Sequence, residues 1–210
     1  MTNLAKTVAK IIKQRPSKYF KVMPYLLLTT KCENTFRDLL GIQLHKSFKP
    51  IAATQQRYEA ALEHTFIWKR KRKRVDLAVF PHNKGGEFRR PVGIVEIKYL
   101  AKPKKACEHL EGLVKDLGKA KGVIRSKAVC YVGIFLVREA KEKYPGSSRP
   151  YAAILKKYPP LDELQPQQLD LIYKQLRKLG RTWGLKEIAT ISCGTDMGCL
   201  VKIRCFVLEL

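Results

Sequence analysis

The chain has 210 residues, of which 42 are Lys or Arg and 18 are Asp or Glu, for a formal charge of +24 at pH 7. Hydrophobic residues make up 45 %, an ordinary globular share that excludes a disordered basic tail. No apolar run approaches the roughly 20 residues of a membrane-spanning helix, and no secretory signal is legible.

Residues 1–32 carry seven Lys or Arg and no acid. Leu4, Val8, Ile11 and Ile12 fall on one helical face, with Lys6, Lys10 and Lys13 elsewhere, and Pro16 ends the helix. Three readings stay open for residues 1–29: a docked helix with a basic outer face, a basic arm on nucleic acid, or an organelle transit peptide. Residues 30–45 read as a helix. Thr30 and Glu33 have capping-box spacing, and Phe36, Leu39, Leu40 and Leu44 supply the apolar stripe. Residues 46–64 are ambiguous, with 58–62 leaning helical. From 65 to 80 the pattern is strand. Pro81, Asn83, Gly85 and Gly86 mark a loop, and a second strand over 92–100 completes a hairpin.

Residues 105–124 form the next predicted helix, with Ala106, Leu110, Leu113, Leu117 and Ala120 on one face and Gly122 as terminator. The nearly continuous apolar run over 128–137 suits a strand buried on both faces. Residues 141–160 are rich in Pro and read as loop. Residues 166–179 are a helix, with Leu169, Ile172, Tyr173, Leu176 and Leu179 inward and Gly180 as C-cap. Strands over 187–192 and 199–208 close the chain. The order implies an α/β protein with a mixed β-sheet flanked by helices. Its expected parts are a basic N-terminal helix or arm at 1–29, a core at 30–140, and a C-terminal helix and strand hairpin at 141–210 on the same domain.

A charge of +24 repels itself, so a polyanionic partner is expected: nucleic acid first, an anionic membrane surface second. Acids are scarce, and two of them interrupt apolar strands: Asp76 between Val75 and Leu77, and Glu96 between Val95 and Ile97. Alternation points Val75, Leu77 and Val79 one way and Asp76 the other, and likewise sets Glu96 and Lys98 opposite Val95 and Ile97. If the strands pair, Asp76, Glu96 and Lys98 converge. Two close carboxylates repel unless a cation lies between them, and a hard oxygen site suits Mg2+ or Mn2+. Lys98 beside it would polarise or deprotonate a water, or stabilise developing negative charge. The bland alternative is a cross-strand or surface ion pair.

Asp76 followed about twenty residues later by Glu96-Ile97-Lys98 resembles the PD-(D/E)XK nuclease superfamily, which includes many restriction enzymes and Holliday-junction resolvases. The resemblance covers residues 30–137. It implies a restriction-endonuclease-like core of a helix, a three-stranded meander, a helix and a further strand. It also implies that Asp76 and Glu96 hold the metal with the Ile97 carbonyl, that Lys98 acts on the nucleophilic water, and that Glu33, on the first helix, assists. Glu63 is the alternative to Glu33. The superfamily's Pro before the Asp is Val75 here, a position that does not ligate.

Lys69, Arg70, Lys71, Arg72, Lys73 and Arg74 run almost directly into Asp76. On a continuous strand Arg70, Arg72 and Arg74 would share its face and lead phosphates to the metal. A solvated edge strand and a nuclear import signal are the other readings. Lys84, Arg89, Arg90, Lys102, Lys104 and Lys105 would rim the cleft. His45, His64, His82 and His109 read as structural or surface residues. Lys115, Asp116 and Lys119 read as an exposed helix face, with substrate contact as the alternative. Trp68 and Trp183 read as core rather than base-stacking residues. The six scattered cysteines read as free thiols in a reducing, intracellular compartment, cytoplasmic or, in a eukaryote, nuclear or organellar. The expected function is a Mg2+- or Mn2+-dependent endonuclease acting on DNA, with a homodimer as the favoured assembly. The alternative is a non-catalytic basic DNA- or RNA-binding protein with a nuclease-like fold.

Overall fold

The computed structural model describes residues 4–14, 32–47, 57–62, 65–68, 71–82, 91–100, 106–124, 129–142, 166–179, 181–182, 189–192 and 199–210. In chain order these form α1 (Leu4–Gln14), α2 (Cys32–Ser47), β1 (Arg57–Leu62), β2 (Thr65–Trp68), β3 (Lys71–Arg74), β4 (Leu77–His82) and β5 (Gly93–Leu100). There follow α3 (Ala106–Ile124), β6 (Cys130–Glu142), α4 (Pro166–Leu179), β7 (Arg181–Thr182), β8 (Ala189–Ser192) and β9 (Cys199–Glu209).

The apolar run after residue 128 becomes the central strand, β6, with residues 131–137 all buried. β5 lies parallel to it, and α3 supplies the crossover that a parallel pair requires. β9 pairs antiparallel with the other edge of β6. The sheet has the order β1-β4-β5-β6-β9, and β7 and β8 both pair with β9. All its pairings but β5–β6 are antiparallel. β2 and β3 form a separate two-stranded sheet.

Alternation along the strands divides the core into two layers. Leu77 and Val79 of β4, Val95, Ile97 and Tyr99 of β5, and Val132, Ile134 and Leu136 of β6 face α1 and α2. Ala78, Phe80, Ile94, Tyr131, Phe135 and Val137 face α3 and α4. α1 is seated in the first layer by Leu4, Ala5, Val8, Ala9 and Ile12, while Lys6, Lys10 and Lys13 are exposed. Of the three readings for the N-terminus, the docked helix with a basic outer face is the one observed for residues 4–14. No helix among the described residues is long and apolar enough to cross a membrane.

Several expectations are corrected. Residues 57–62 are strand, not helix, because the segment pairs along β4, with Ala60 opposite Val79 and Leu62 opposite Leu77. The expected single strand over 65–80 is broken into β2, β3 and β4, with a bend at Asp76. That bend resets the alternation, so Val75 joins the α3 layer while Leu77 joins the α1–α2 layer. Pro81 lies inside β4 opposite Tyr58. Gly122 sits within α3, which continues to Ile124. Thr30, Gly180, Glu63, His64 and Trp183 lie outside the described residues.

Candidate functional site

β4 starts at Leu77, opposite Val95, while β5 runs on to Leu100. Beyond Val95 no described strand pairs with the β4 side of β5. Alternate residues of a strand turn their N–H and C=O groups to the same side, so Ile97 and Tyr99 present both groups to this notch. A main-chain donor left without an acceptor costs about 1–3 kcal/mol when buried. Two acidic side chains meet the need. Asp76 Oδ2 accepts the Ile97 N–H at 2.8 Å, and Glu33 Oε2 accepts the Tyr99 N–H at 2.9 Å.

Each acid is delivered by a different element. Asp76 sits at the bend between β3 and β4, which aims its carboxylate along the sheet edge instead of onto a face. Glu33 lies in the first turn of α2, the helix that Phe36, Leu40 and Leu44 fix on the sheet. Glu96, only 4 % exposed, is one peptide bond from the N–H that Asp76 binds. By alternation it projects with Ile94 and Lys98 toward α3.

Lys98 Nζ lies 3.4 Å from Asp116 Oδ2 on α3, and Lys119 Nζ lies 3.5 Å from the other oxygen of Asp116. Burial alone would lower the Lys98 pKa, but Glu33, Asp116 and Asp76 outweigh it and hold the ammonium above its ordinary value. Burial raises the Glu33 pKa. The Tyr99 N–H, Lys98 and Arg37 pull it back, Asp76 adds to the rise, and the carboxyl remains above its ordinary value. Glu33, Asp76, Lys98 and Asp116 thus form one interacting cluster. Beside it an open cleft of about 370 Å³ is lined by Glu33, Lys98, Tyr99, Glu108, His109 and Gly112.

The expected residues Glu33, Asp76, Glu96, Ile97 and Lys98 therefore occupy one stretch of β5 and its edge on the β4 side. The basic run is arranged differently from expectation. Lys71, Arg72, Lys73 and Arg74 form β3 and pair with β2, so they do not continue into β4, and the shared face with Asp76 is lost at the bend. Arg74 is exposed. Lys69, Arg70, Lys84, Arg89, Arg90, Lys102, Lys104 and Lys105 lie outside the described residues.

Asp116 is the residue that sequence reasoning placed on an exposed helix face and the structure places against Lys98. Its signal was faint: an acid one helical turn from Lys119, on a helix that carries three acids and three lysines. His109, read as structural or surface, lines the cleft.

Among the described residues no group of three or more His, Cys, Asp or Glu side chains is arranged to hold a metal ion. A cation at the notch would rest on the carboxylates of Asp76 and Glu96 and the main-chain oxygen of Ile97. This all-oxygen donor set suits hard Mg2+ or Mn2+ and not a thiophilic metal. No family model matches the chain, and neither a curated protein nor a solved structure matches it significantly.

Proposed function

We propose that this protein is a metal-dependent nuclease that hydrolyses phosphodiester bonds in DNA, with a core of the PD-(D/E)XK type. The observation that carries the reading is the Asp76–Ile97 hydrogen bond. It pins one carboxylate to the peptide that joins Glu96 to Ile97, so that two acids, a main-chain carbonyl and the Lys98 amine share a few ångströms of β5. The order α2, β1, β4, β5, α3, β6, with the separate β2–β3 hairpin inserted between β1 and β4, β1-β4-β5 antiparallel neighbours and β6 parallel to β5, supports the restriction-endonuclease-like core. The net charge of +24 supports a polyanionic substrate.

In this reading Asp76, Glu96 and the Ile97 carbonyl hold Mg2+ or Mn2+, which when bound supplies positive charge to the scissile phosphate and acidifies a water. Asp76 and Glu96 keep their oxygens in place because one is tied to main chain and the other is buried. Lys98, drawn by Asp116 at 3.4 Å and standing beside these ligands on β5, would stabilise charge developing on the phosphate oxygens or act on the attacking water. Glu33 borders the same cleft as Lys98, where its carboxyl would accept a hydrogen bond from the attacking water.

The test is cleavage of labelled duplex, branched and single-stranded substrates in Mg2+, Mn2+ or chelator. Asp76→Ala, Glu96→Ala and Lys98→Ala are expected to abolish product while retaining binding, and full activity in all three would refute the assignment. A second reading, a non-catalytic nucleic-acid-binding protein, draws on the Lys98–Asp116 ion pair, which on that view is purely structural. It requires salt-sensitive binding with no product in either metal.

A further inference from the structure

We propose that Asp116 is a positioning residue: it holds the Lys98 ammonium against α3, away from the Asp76 carboxylate, and so leaves that carboxylate to a divalent cation. The inference rests on the nuclease reading above.

The geometry divides Asp116 between two cations. One oxygen lies 3.4 Å from Lys98 Nζ, and the other lies 3.5 Å from Lys119 Nζ. The Lys98 side chain is 31 % exposed and that of Lys119 is 56 % exposed, so Lys98 is the more covered of the two partners. Lys98 is also drawn by Glu33 and Asp76. Glu33 belongs to α2, which packs on the sheet face opposite α3, and Asp76 sits at the bend before β4. An ammonium that settled between them would neutralise the same charge that a divalent ion needs, and the two cations would compete. A negative group on α3 removes the conflict by drawing the amine the other way. Lys119 balances the second oxygen, so the Lys98–Asp116–Lys119 group keeps a net positive charge, and phosphate can approach this wall without repulsion. Asp116 need not touch the substrate or the metal to do this.

The test is Mn2+ binding to the full chain by titration calorimetry, without nucleic acid. Asp116→Asn keeps the shape of the side chain and removes its charge. It is expected to weaken Mn2+ binding roughly tenfold, the scale of one competing close charge, with an unchanged thermal melt. Asp116→Glu is expected to bind like the parent. In the Lys98→Met background, which has no competing amine, Asp116→Asn is expected to have no effect. Equal Mn2+ affinity in the parent and in Asp116→Asn overturns the positioning role. So does an equal loss with and without the Lys98 amine, since the effect would then be simple loss of negative charge. A parent protein that binds no Mn2+ overturns the nuclease reading itself, a separate and recognisable outcome.

Discussion

Asp76 Oδ2 accepts the main-chain N–H of Ile97 at 2.8 Å, across 21 residues of sequence. The bond replaces the strand pairing that β4 would have made had it started two residues earlier. On the proposed nuclease reading the same carboxylate has a structural and a chemical task, and substitutions can separate them. Asp76→Asn retains an oxygen acceptor and is expected to be nearly as stable as the parent. Asp76→Ala leaves the Ile97 N–H without its carboxylate and is expected to lose about 1–3 kcal/mol in urea unfolding. Both are expected to lose cleavage. Parent-like cleavage by Asp76→Asn would remove Asp76 from the chemistry.

Glu33 gives a pH signature. Its carboxyl pKa is raised by burial above the ordinary 4.5. Between the ordinary and the raised value the folded chain binds more proton than the unfolded chain, so this residue's contribution makes stability fall as pH rises through that window. Glu33→Gln keeps an acceptor for the Tyr99 N–H and has no proton to lose. Its melting temperature, followed from pH 4 upward, is expected to lack that part of the decline. An identical pH profile in the parent and in Glu33→Gln would show that the buried carboxyl does not titrate as described.

Gly93 is one point at which α1 comes close to the sheet. A methyl group built on its Cα would collide with Leu4 Cδ2, and Val79 stands close behind. Leu4 is 2 % exposed and belongs to the core layer under α1. Gly93→Ala is therefore expected to destabilise the protein by about 1–3 kcal/mol through overpacking. Pairing it with Leu4→Ala is expected to recover part of the loss, which double-mutant unfolding measurements would reveal. Purely additive losses would exclude the contact.

Cys130 is half-buried and donates its thiol hydrogen to Glu209 Oε1 at 2.9 Å. Burial and then the Glu209 carboxylate push the thiol up to about 12 from its ordinary 9.0. The thiolate is the reactive form, so Cys130 in the folded chain is expected to resist iodoacetamide at pH 8 while the unfolded chain is labelled. Peptide mapping by mass spectrometry reads this residue separately. Because the folded chain keeps a proton that the unfolded chain loses, stability from this site falls as pH rises above 9.0. Glu209→Gln is expected to speed labelling, and rapid alkylation of the parent at pH 8 would contradict the buried, hydrogen-bonded thiol.

The charge makes a prediction about salt. The logarithm of the DNA association constant is expected to fall linearly with the logarithm of salt concentration, by about 0.9 per phosphate contacted. Arg74, at the end of β3, is the member of the basic run whose side chain is described, and it is exposed. Arg74→Ala is expected to lower the slope by about 1 without changing sequence preference. An unchanged slope would place β3 away from the nucleic acid.

Local periodicity in the residues was enough to read α3 and α4. The residues read as 105–124 and 166–179 are Ala106–Ile124 and Pro166–Leu179, because Leu110, Leu113, Leu117, Ile172 and Leu176 repeat at helical spacing whatever they pack on. The buried strand after 128 was legible for the same reason, as a run with no polar face. Asp76, Glu96 and Lys98 stood out because charges within apolar strands are costly to leave unexplained. Residues 57–62 were not legible, because Glu59-Ala60-Ala61-Leu62 suits a helix on its own and becomes strand only by pairing with β4.

Long-range register settled what remained. Nothing near residue 76 says that the strand must bend there, and nothing near Glu33 says that its carboxylate meets Tyr99, 66 residues away. Asp116 reaches Lys98 only because α3 crosses back over the sheet between two parallel strands. Side-chain pattern is written residue by residue. The place where one strand stops beside a longer one, and which groups then satisfy the exposed backbone, belongs to the packed whole.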